Sequence, residues 1–466
     1  MSDLFDIIVI GAGPAGMSAA TEASRHGASV CMLDEQQTAG GQIYRNVVHS
    51  PAARSRILGA DYRAGLLMTQ NTNESGVVHR TRATVWKVDK DGSVAFTVDG
   101  QAEQIRGRHV ILANGAMERS VPIPGWTSPG VMTVGAAQIL MKSSGIVPVG
   151  AVLVGVGPLL YLVATQLVAA GAPPKALIET QTKSDLIAAM PHFLPALKGW
   201  KQLAKGMQMI AALRWAGVPR FKGATEIEIT GGASVEGVRF RAQGREKTIH
   251  TTTVFLHQGV VPNTQITRSI GLDHEYNTAQ HSFAPITDDC GQSSNSVFSI
   301  AGDGAGIGGA KDAALSGKIS ALNALRQIGK ITQSTCDGMA KPLLKRRRAE
   351  LAIRPFLDAA YPPPASVLRP ADDTIICRCE DVRAGDIRRY AALGCRGPNQ
   401  TKAFGRSGMG PCQGRYCGLT VTEILVEETG QRHEKVGSYR IRAPLKPITL
   451  KELASLALPQ ETDKSK

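Results

Sequence analysis

The stretch DIIVIGAGPAGMSAATEASRHGASVCMLDE, residues 6–35, constrains the fold more than any other part of this chain. Ile7–Ile10 are four consecutive apolar residues, the pattern of a strand buried on both faces in a parallel sheet. Gly11, Gly13 and Gly16 then complete G-x-G-x-x-G, with Ala12 and Ala15 between them, and a helical run follows. Each glycine has its own reason. Gly11 allows the tight turn, Gly13 lets the backbone approach a pyrophosphate, and Gly16 lets helix and strand pack closely. The free N–H groups of the helix start favour an anion there. A second strand, residues 29–33, runs into Asp34 and Glu35, one of which should accept from ribose hydroxyls. Asp34 is the first choice because it directly follows the strand. Strand, loop, helix, strand and acid in register predict a bound dinucleotide.

A length of 466 residues fits about three units of roughly 150 residues each. The formal charge of +14 raises the question of nucleic acid, but aromatic residues make up only 5% and do not interleave with the basic ones. A basic surface or a protein partner accounts for the charge better. The opening MSDLFDIIVIG carries two aspartates and no basic residue, which argues against a secretory signal. Residues 146–174 hold no charge and mimic a membrane span. Prolines at 148, 158, 173 and 174 instead predict a short strand, a turn and a buried helix. The expected location is the cytoplasm, with peripheral attachment at the inner membrane as its variant. Clustered cysteines in that compartment suggest metal or redox chemistry before disulfides.

Three further segments resemble the thioredoxin-reductase-like flavoproteins, which carry two dinucleotide-binding domains. AGGQIYR (39–45) is similar to their Gly-Gly-Gln segment. VILANGAMERSVPIPGW (110–126) resembles their strand ending in Ala-Thr-Gly, with Asn114 in place of Thr. VFSIAGDGAG (297–306) is similar to their distal motif. The resemblance implies FAD, contacted at Gly41 and Gln42, with Gly302 and Asp303 at the ribityl chain.

The strand–glycine–helix unit recurs in AVLVGVGPLLYLVATQLVAAG, residues 151–171. Gly11 stands 104 positions before Gly115, and Gly155 stands 104 before Gly259. Equal spacing, with an alternating strand pair inside each copy, predicts one domain inserted into another of the same kind. In the second copy Leu160 replaces the third glycine. Glu179 remains available for a ribose, but a leucine there pushes helix from strand, so NAD(P) is disfavoured. A second flavin (FMN), an adenine nucleotide in a remodelled pocket, or no ligand is the expectation. Cys31, Cys290 and Cys336 stand alone, and no C-x-x-C lies beside a flavin motif, which disfavours disulfide reduction. Cys31 reads as core.

Five of the eight cysteines follow residue 370. A basic run, residues 341–348, and three prolines at 362–364 lead to Cys377-x-Cys379 and, 32 residues on, Cys412-x4-Cys417, with Cys395 between. Two close pairs separated by helix can share one centre at low ordering entropy. Zinc and [2Fe–2S] both accept four thiolates, but zinc ribbons prefer C-x2-C, which neither pair has. Gly408, Gly410, Gly414 and Gly418 leave backbone N–H groups free to face sulfur. CRCEDV and GPCQGRYCG, with GAGPAGM, GGQIYR and GPLL, resemble the large FAD and [2Fe–2S] subunits of heteromeric amine and opine dehydrogenases. That family includes octopine and nopaline oxidase A subunits, D-hydroxyproline dehydrogenase alpha, dye-linked proline dehydrogenase and hydrogen cyanide synthase B subunits. The cysteine region is similar to bacterioferritin-associated-ferredoxin-like domains.

The resemblance implies an α/β chain with two Rossmann-like domains, the second inserted in the first, and a small α-rich [2Fe–2S] domain. Its expected bounds are 1–145 with 262–335 for FAD, 146–261 for the degenerate copy, 336–370 for a basic helix and linker, and 371–466 for the cluster. It also implies Cys377, Cys379, Cys412 and Cys417 as ligands, Cys395 as a bystander, and a smaller FAD-containing partner that oxidises the C–N bond, with a small ferredoxin-like subunit beside it. Ten histidines lie scattered without a His/Asp or His/Cys grouping, so the sequence names no catalytic residue. The rival reading is a self-contained NAD(P)H-dependent reductase, which Leu160 opposes. A third is a scaffold holding structural zinc.

Overall fold

A computed structural model describes residues 4–457. The apolar run Ile7–Ile10 forms the buried end of β1 (Leu4–Ile10), flanked in parallel by β2 (Val30–Leu33) and β6 (Gln101–Leu112). The strands β3 (Val78–Arg80) and β19 (Phe298–Ile300) extend this parallel array beyond β2 and β6. The long β6 also serves a meander. Its first half pairs antiparallel with β5 (Ser93–Val98), which pairs with β4 (Thr84–Val88). The sheet order is β3-β2-β1-β6-β5-β4, with β19 on β6.

One face of this sheet is covered by α1 (Pro14–Arg25) and α6 (Ala310–Gln327), through Met17, Ala20, Ala321 and Leu325 against Ile7, Val9 and Ile111. The helices touch closely because Gly317 has no side chain facing the Ala15 carbonyl.

The second copy forms its own parallel sheet, β11-β10-β9-β15-β8, from β8 (Val131–Thr133), β9 (Val152–Val156), β10 (Ala176–Glu179), β11 (Arg220–Lys222) and β15 (Val254–Gln258). Its meander is β12 (Thr225–Thr230), β13 (Gly237–Ala242) and β14 (Arg245–His250). The stretch that mimicked a span is β9, a turn and α3 (Pro158–Ala169), which packs on α4 (Trp200–Trp215). Among the described residues no helix is long and apolar enough to cross a membrane. One detail departs from the expected start at 146. Both β8 and the following α2 (Val134–Ser144) lie with the second sheet, because β8 fills the open edge of β15. A two-stranded ribbon, β7 (Ala116–Glu118) with β16 (Val260–Pro262), joins the copies.

The cysteine-rich end packs on the other face of the first sheet. Ile376, Ile387, Val421 and Ile424 share a core with Ile8, Leu33, Phe96 and Val110. Its main helices are α8 (Ala384–Ala392) and α9 (Gly418–Thr429). Polar ties reinforce the contact: Trp126 Nε1 donates to the Ile375 carbonyl at 2.6 Å, and Ser120 Oγ to that of Tyr416 at 2.6 Å. The basic run lies in α7 (Gln333–Leu351), and part of it is internal. Arg347 meets the buried Asp312 at 3.0 Å, and Arg348 meets Asp289 at 2.9 Å.

Candidate functional site: two glycine loops and a thiol quartet

The first loop folds as a cradle. A Cβ on Gly16 would lie 1.7 Å from the Gly11 carbonyl oxygen, so only glycine lets α1 start this close to β1. Gly41, at φ +57, brings a second loop against the first, where a Cβ would lie 2.7 Å from the Gly13 Cα. The Gly40 N–H donates to the Ala12 carbonyl at 2.8 Å and locks the two loops together. Asp34 stands at the same place. Its Oδ2 accepts the Ala12 N–H at 2.7 Å and its Oδ1 the Gln36 N–H at 2.7 Å, which leaves one acceptor direction on each oxygen. Glu35 is turned away and pairs with Lys446. Gly302 seats against Ala15, and Asp303 Oδ1 accepts from Gly308 and Gly309, both at 2.9 Å. Gly11, Ala12, Gly13, Ala15, Gly16, Asp34, Gly41, Gln42, Gly302 and Asp303 therefore converge from four segments; Glu35 does not.

Two buried polar atoms beside this cradle, Asn114 Oδ1 and Arg45 Nε, lack a partner among the described residues. Buried groups of that kind cost free energy unless something bonds to them, so the cradle suits a polar ligand. Asn114 keeps its other end on the Asn263 carbonyl at 2.6 Å. Nothing in the sequence marks Lys142. This α2 residue reaches across from the second copy, donating to the Gln42 carbonyl at 3.0 Å and to Gln138 Oε1 at 2.8 Å. Burial, with Arg45 nearby, brings its pKa down to about 7.

The second loop is a different object. Glu179 does not stand free for a ribose, contrary to the sequence expectation. It is wholly buried, gripped by Arg220 (Nε–Oε1 2.6 Å, Nη2–Oε2 2.8 Å) and bonded by Tyr161 Oη at 2.8 Å. Leu160 is core. His257 packs behind Gly155 and Gly157, with Nδ1 2.7 Å from Glu118 Oε1, and Glu118 Oε2 accepts the Gly135 N–H at 2.8 Å. Side chains occupy the surroundings that the first loop leaves open.

The four cysteines named from sequence meet as two pairs. Cys379 and Cys412 Sγ atoms are 3.7 Å apart. Cys377 bonds with Cys417, and that thiol with the N–H groups of Gly408, Glu380 and Cys379 holds Cys377 down to about 6. Cys417 is pushed up correspondingly, first by its bond to Cys377 and then by burial. The tight turn is enforced by Gly410, where a Cβ would strike that of Cys379 at 2.2 Å. Among the described residues no group of three or more His, Cys, Asp or Glu converges to hold a single ion. A binuclear centre asks for something else, two thiolates per iron. Tetrahedral metal–sulfur bonds of about 2.3 Å set paired sulfurs roughly 3.8 Å apart, close to the separation found here. That spacing suits tetrahedral iron and zinc alike, and two such pairs are what a two-iron cluster would need. Cys395 is buried among apolar residues, as are Cys31 and Cys336. Burial, then the charges of Asp288 and Cys336, push the Cys290 thiol up to about 11.

Two glycine loops on parallel sheets, one built as a nucleotide cradle, define a two-domain dinucleotide-binding fold, and the relatives make it an FAD-dependent oxidoreductase. Residues 5–320 match the pyridine nucleotide-disulphide oxidoreductase family, and residues 372–456 the sarcosine oxidase A3 domain. The chain belongs to the family of opine oxidase A subunits: it is 42% identical to the opine oxidase A subunit of Rhizobium meliloti, over 98% of this chain and 88% of the other. It is also 32% identical to "Hydrogen cyanide synthase subunit HcnB" of Pseudomonas aeruginosa, over 96% of this chain and 98% of that one. In fold it is similar to L-proline dehydrogenase from P. horikoshii, with a TM-score of 0.69 at 18% identity, covering 97% of this chain and 79% of that chain.

Proposed function

We propose that this chain is the electron-relay subunit of a heteromeric FAD-dependent dehydrogenase or oxidase acting on the C–N bond of an amino acid, imino acid or opine, of the D-hydroxyproline, octopine or nopaline class. The observation that carries the reading is the pairing of Cys379 with Cys412 and Cys377 with Cys417 on the far face of the sheet that presents the nucleotide cradle. FAD would be held by the Gly11–Gly16 loop, Asp34, Gly41, Gln42, Gly302 and Asp303, and a [2Fe–2S] cluster by Cys377, Cys379, Cys412 and Cys417. Bound there, the flavin would supply two-electron chemistry and the cluster one-electron transfer.

The chain's own residues do the positioning. Asp34 offers its remaining acceptor directions at the loop mouth. The N–H groups of Gly408, Glu380 and Cys379 face a thiolate, which offsets charge on sulfur. Shared core residues lock the cysteine region onto the sheet, so the distance between the two sites is fixed by packing and not by a flexible tether. The substrate-oxidising step is assigned to a smaller FAD-containing partner. A small ferredoxin-like subunit is the further companion, and the cytoplasm or its membrane face is the location. The second loop is left to FMN, an adenine nucleotide or nothing. The sealed Glu179 argues against a nicotinamide there and so against the self-contained reductase.

The test is a spectrum with metal analysis of the purified chain and of Cys412→Ser. Iron and acid-labile sulfide in the wild type, lost in C412S with flavin retained, support the reading. Zinc, or colourless protein, overturns the relay. Rapid bleaching of the flavin by NADH revives the reductase.

A further inference from the structure

A narrow cleft of about 60 Å³, opening to solvent, lies where the joining ribbon and the hairpin β17 (His274–Asn277) with β18 (Ser282–Pro285) meet the cysteine region. None of its lining residues belongs to the nucleotide cradle or is one of the four cysteines. Small-molecule sites combine apolar walls with a few convergent polar groups, and this cleft has both. Gln265, Arg268 and Ser282 line it from one part of the chain and Arg415 from the other. Phe283 and Tyr439 supply aromatic walls.

Two of these groups are buried atoms without the partner such atoms normally have, and a third, Arg268, has no counter-charge. Arg268, on the short α5 (Gln265–Ser269), gives its Nε–H to Thr264 Oγ1 at 3.1 Å and lies 4.7 Å over the Phe283 ring. Among the described residues its two Nη nitrogens make no hydrogen bond and no carboxylate comes within ion-pair distance. Burial alone lowers its pKa to about 10. Ser282 is 1% exposed, and among the described residues its Oγ has no partner. Gln265 Oε1 is likewise buried without a partner. Arg415 spends Nε on the Cys412 carbonyl and Nη2 on that of Leu445, and among the described residues it too pairs with no carboxylate. A cation without a counter-charge and a buried hydroxyl or amide without a partner both cost free energy. Folds retain such clusters where a ligand supplies the missing partners. A guanidinium fork matches a planar or tetrahedral oxyanion. Gln265 Oε1 calls for a donor.

We propose that this cleft holds the anionic end of a small organic oxyanion, a carboxylate or phosphate ester that also carries N–H or O–H donors, with the rest of the ligand in the solvent opening. Arg268 grips the anion, Arg415 adds charge, and Gln265 and Ser282 take the donors. No cysteine lines the cleft, but Arg415 and Tyr439 adjoin Cys412 and Cys417, so the test turns on Arg268 and Ser282, which touch neither.

Thermal shift of the full-length chain tests it with three probes at millimolar concentration: glutamate, succinate and inorganic phosphate. At least one should raise the melting temperature. Glutamate ahead of succinate marks a carboxylate ligand whose donors count; phosphate ahead of both marks the phosphate ester. R268Q should weaken the preferred probe about tenfold or more, the loss expected for a charge-assisted pair. Without a probe it should melt no lower than wild type, since it removes a cation that has no counter-charge. Ser282→Ala, which removes a hydroxyl that has no partner among the described residues, should keep the melting temperature and weaken binding severalfold. No shift with any of the three probes overturns the proposal, and so do equal shifts in wild type, R268Q and S282A.

Discussion

The two glycine loops of this chain share a topology and differ in what surrounds them. Each follows a central strand, each starts a 12-residue helix with proline, and each lies beside a strand that runs into an acid. At the first, Asp34 stands half-buried at the loop with acceptor capacity in hand, and glycines 16 and 41 leave room. At the second, Glu179 is locked by Arg220 and Tyr161, Leu160 is core, and His257 packs against the loop. A duplicated backbone does not carry its ligand with it. Occupancy depends on a few side chains that either leave the loop open or close it.

The hardest break is to give the first loop the second loop's residue. Gly16→Leu forces a side chain into space where the first added carbon already lies 1.7 Å from a carbonyl oxygen. That contact is with backbone and cannot rotate away, so α1 must shift off the sheet. The expected outcome is loss of bound flavin, read from the visible spectrum, with a fall in stability beyond the roughly 1–3 kcal/mol usual for overpacking. Retained flavin in G16L would show that helix and strand can separate without spoiling the cradle.

The second loop can be tested from the opposite side. Arg220→Met removes one partner of a buried pair and leaves the Glu179 carboxylate with a single phenol donor. Breaking such a pair costs about 3–5 kcal/mol, measurable by denaturant unfolding, while flavin content stays at the wild-type level. Adding Glu179→Gln should recover part of the loss, because the neutral amide is cheaper to bury. A stable R220M would mean that Glu179 is held for something other than the fold.

Legibility followed the same division. Gly11, Gly13 and Gly16 could be read as a cradle because each answers a local backbone demand that the neighbouring residues display. The meanders and the apolar stretch around α3 were legible for similar reasons, alternation and proline placement being local. Glu179 was not. Its partner Arg220 lies 41 positions away on a neighbouring strand, and no local pattern ties the two together. Lys142 escaped notice because its role depends on which loop the second copy's helix lands against, and the start of the second sheet escaped because β8 is only three residues long. Cys412 and Cys417 were found by spacing, yet their arrangement with Cys379 and Cys377 as two pairs emerged only from the fold.

The finest probe of the comparison separates the two acids. Asp34→Asn keeps the shape of the side chain but loses the charge and puts an NH2 where one acceptor stood. The Ala12 and Gln36 N–H groups then compete for a single carbonyl oxygen, and any ribose hydroxyl finds one acceptor fewer. Hydrogen bonds to a charged group contribute about 1.5–3 kcal/mol, so FAD affinity should fall about ten- to hundredfold, measured by titrating FAD into apo-protein and following its fluorescence. Glu179→Gln, the same change at the second loop, should leave that titration unmoved and lower only the melting temperature. Equal losses of FAD affinity from both substitutions would mean that the second acid supports the cradle through the domain contact at Lys142 and Gln42, and that the two loops are coupled and not independent.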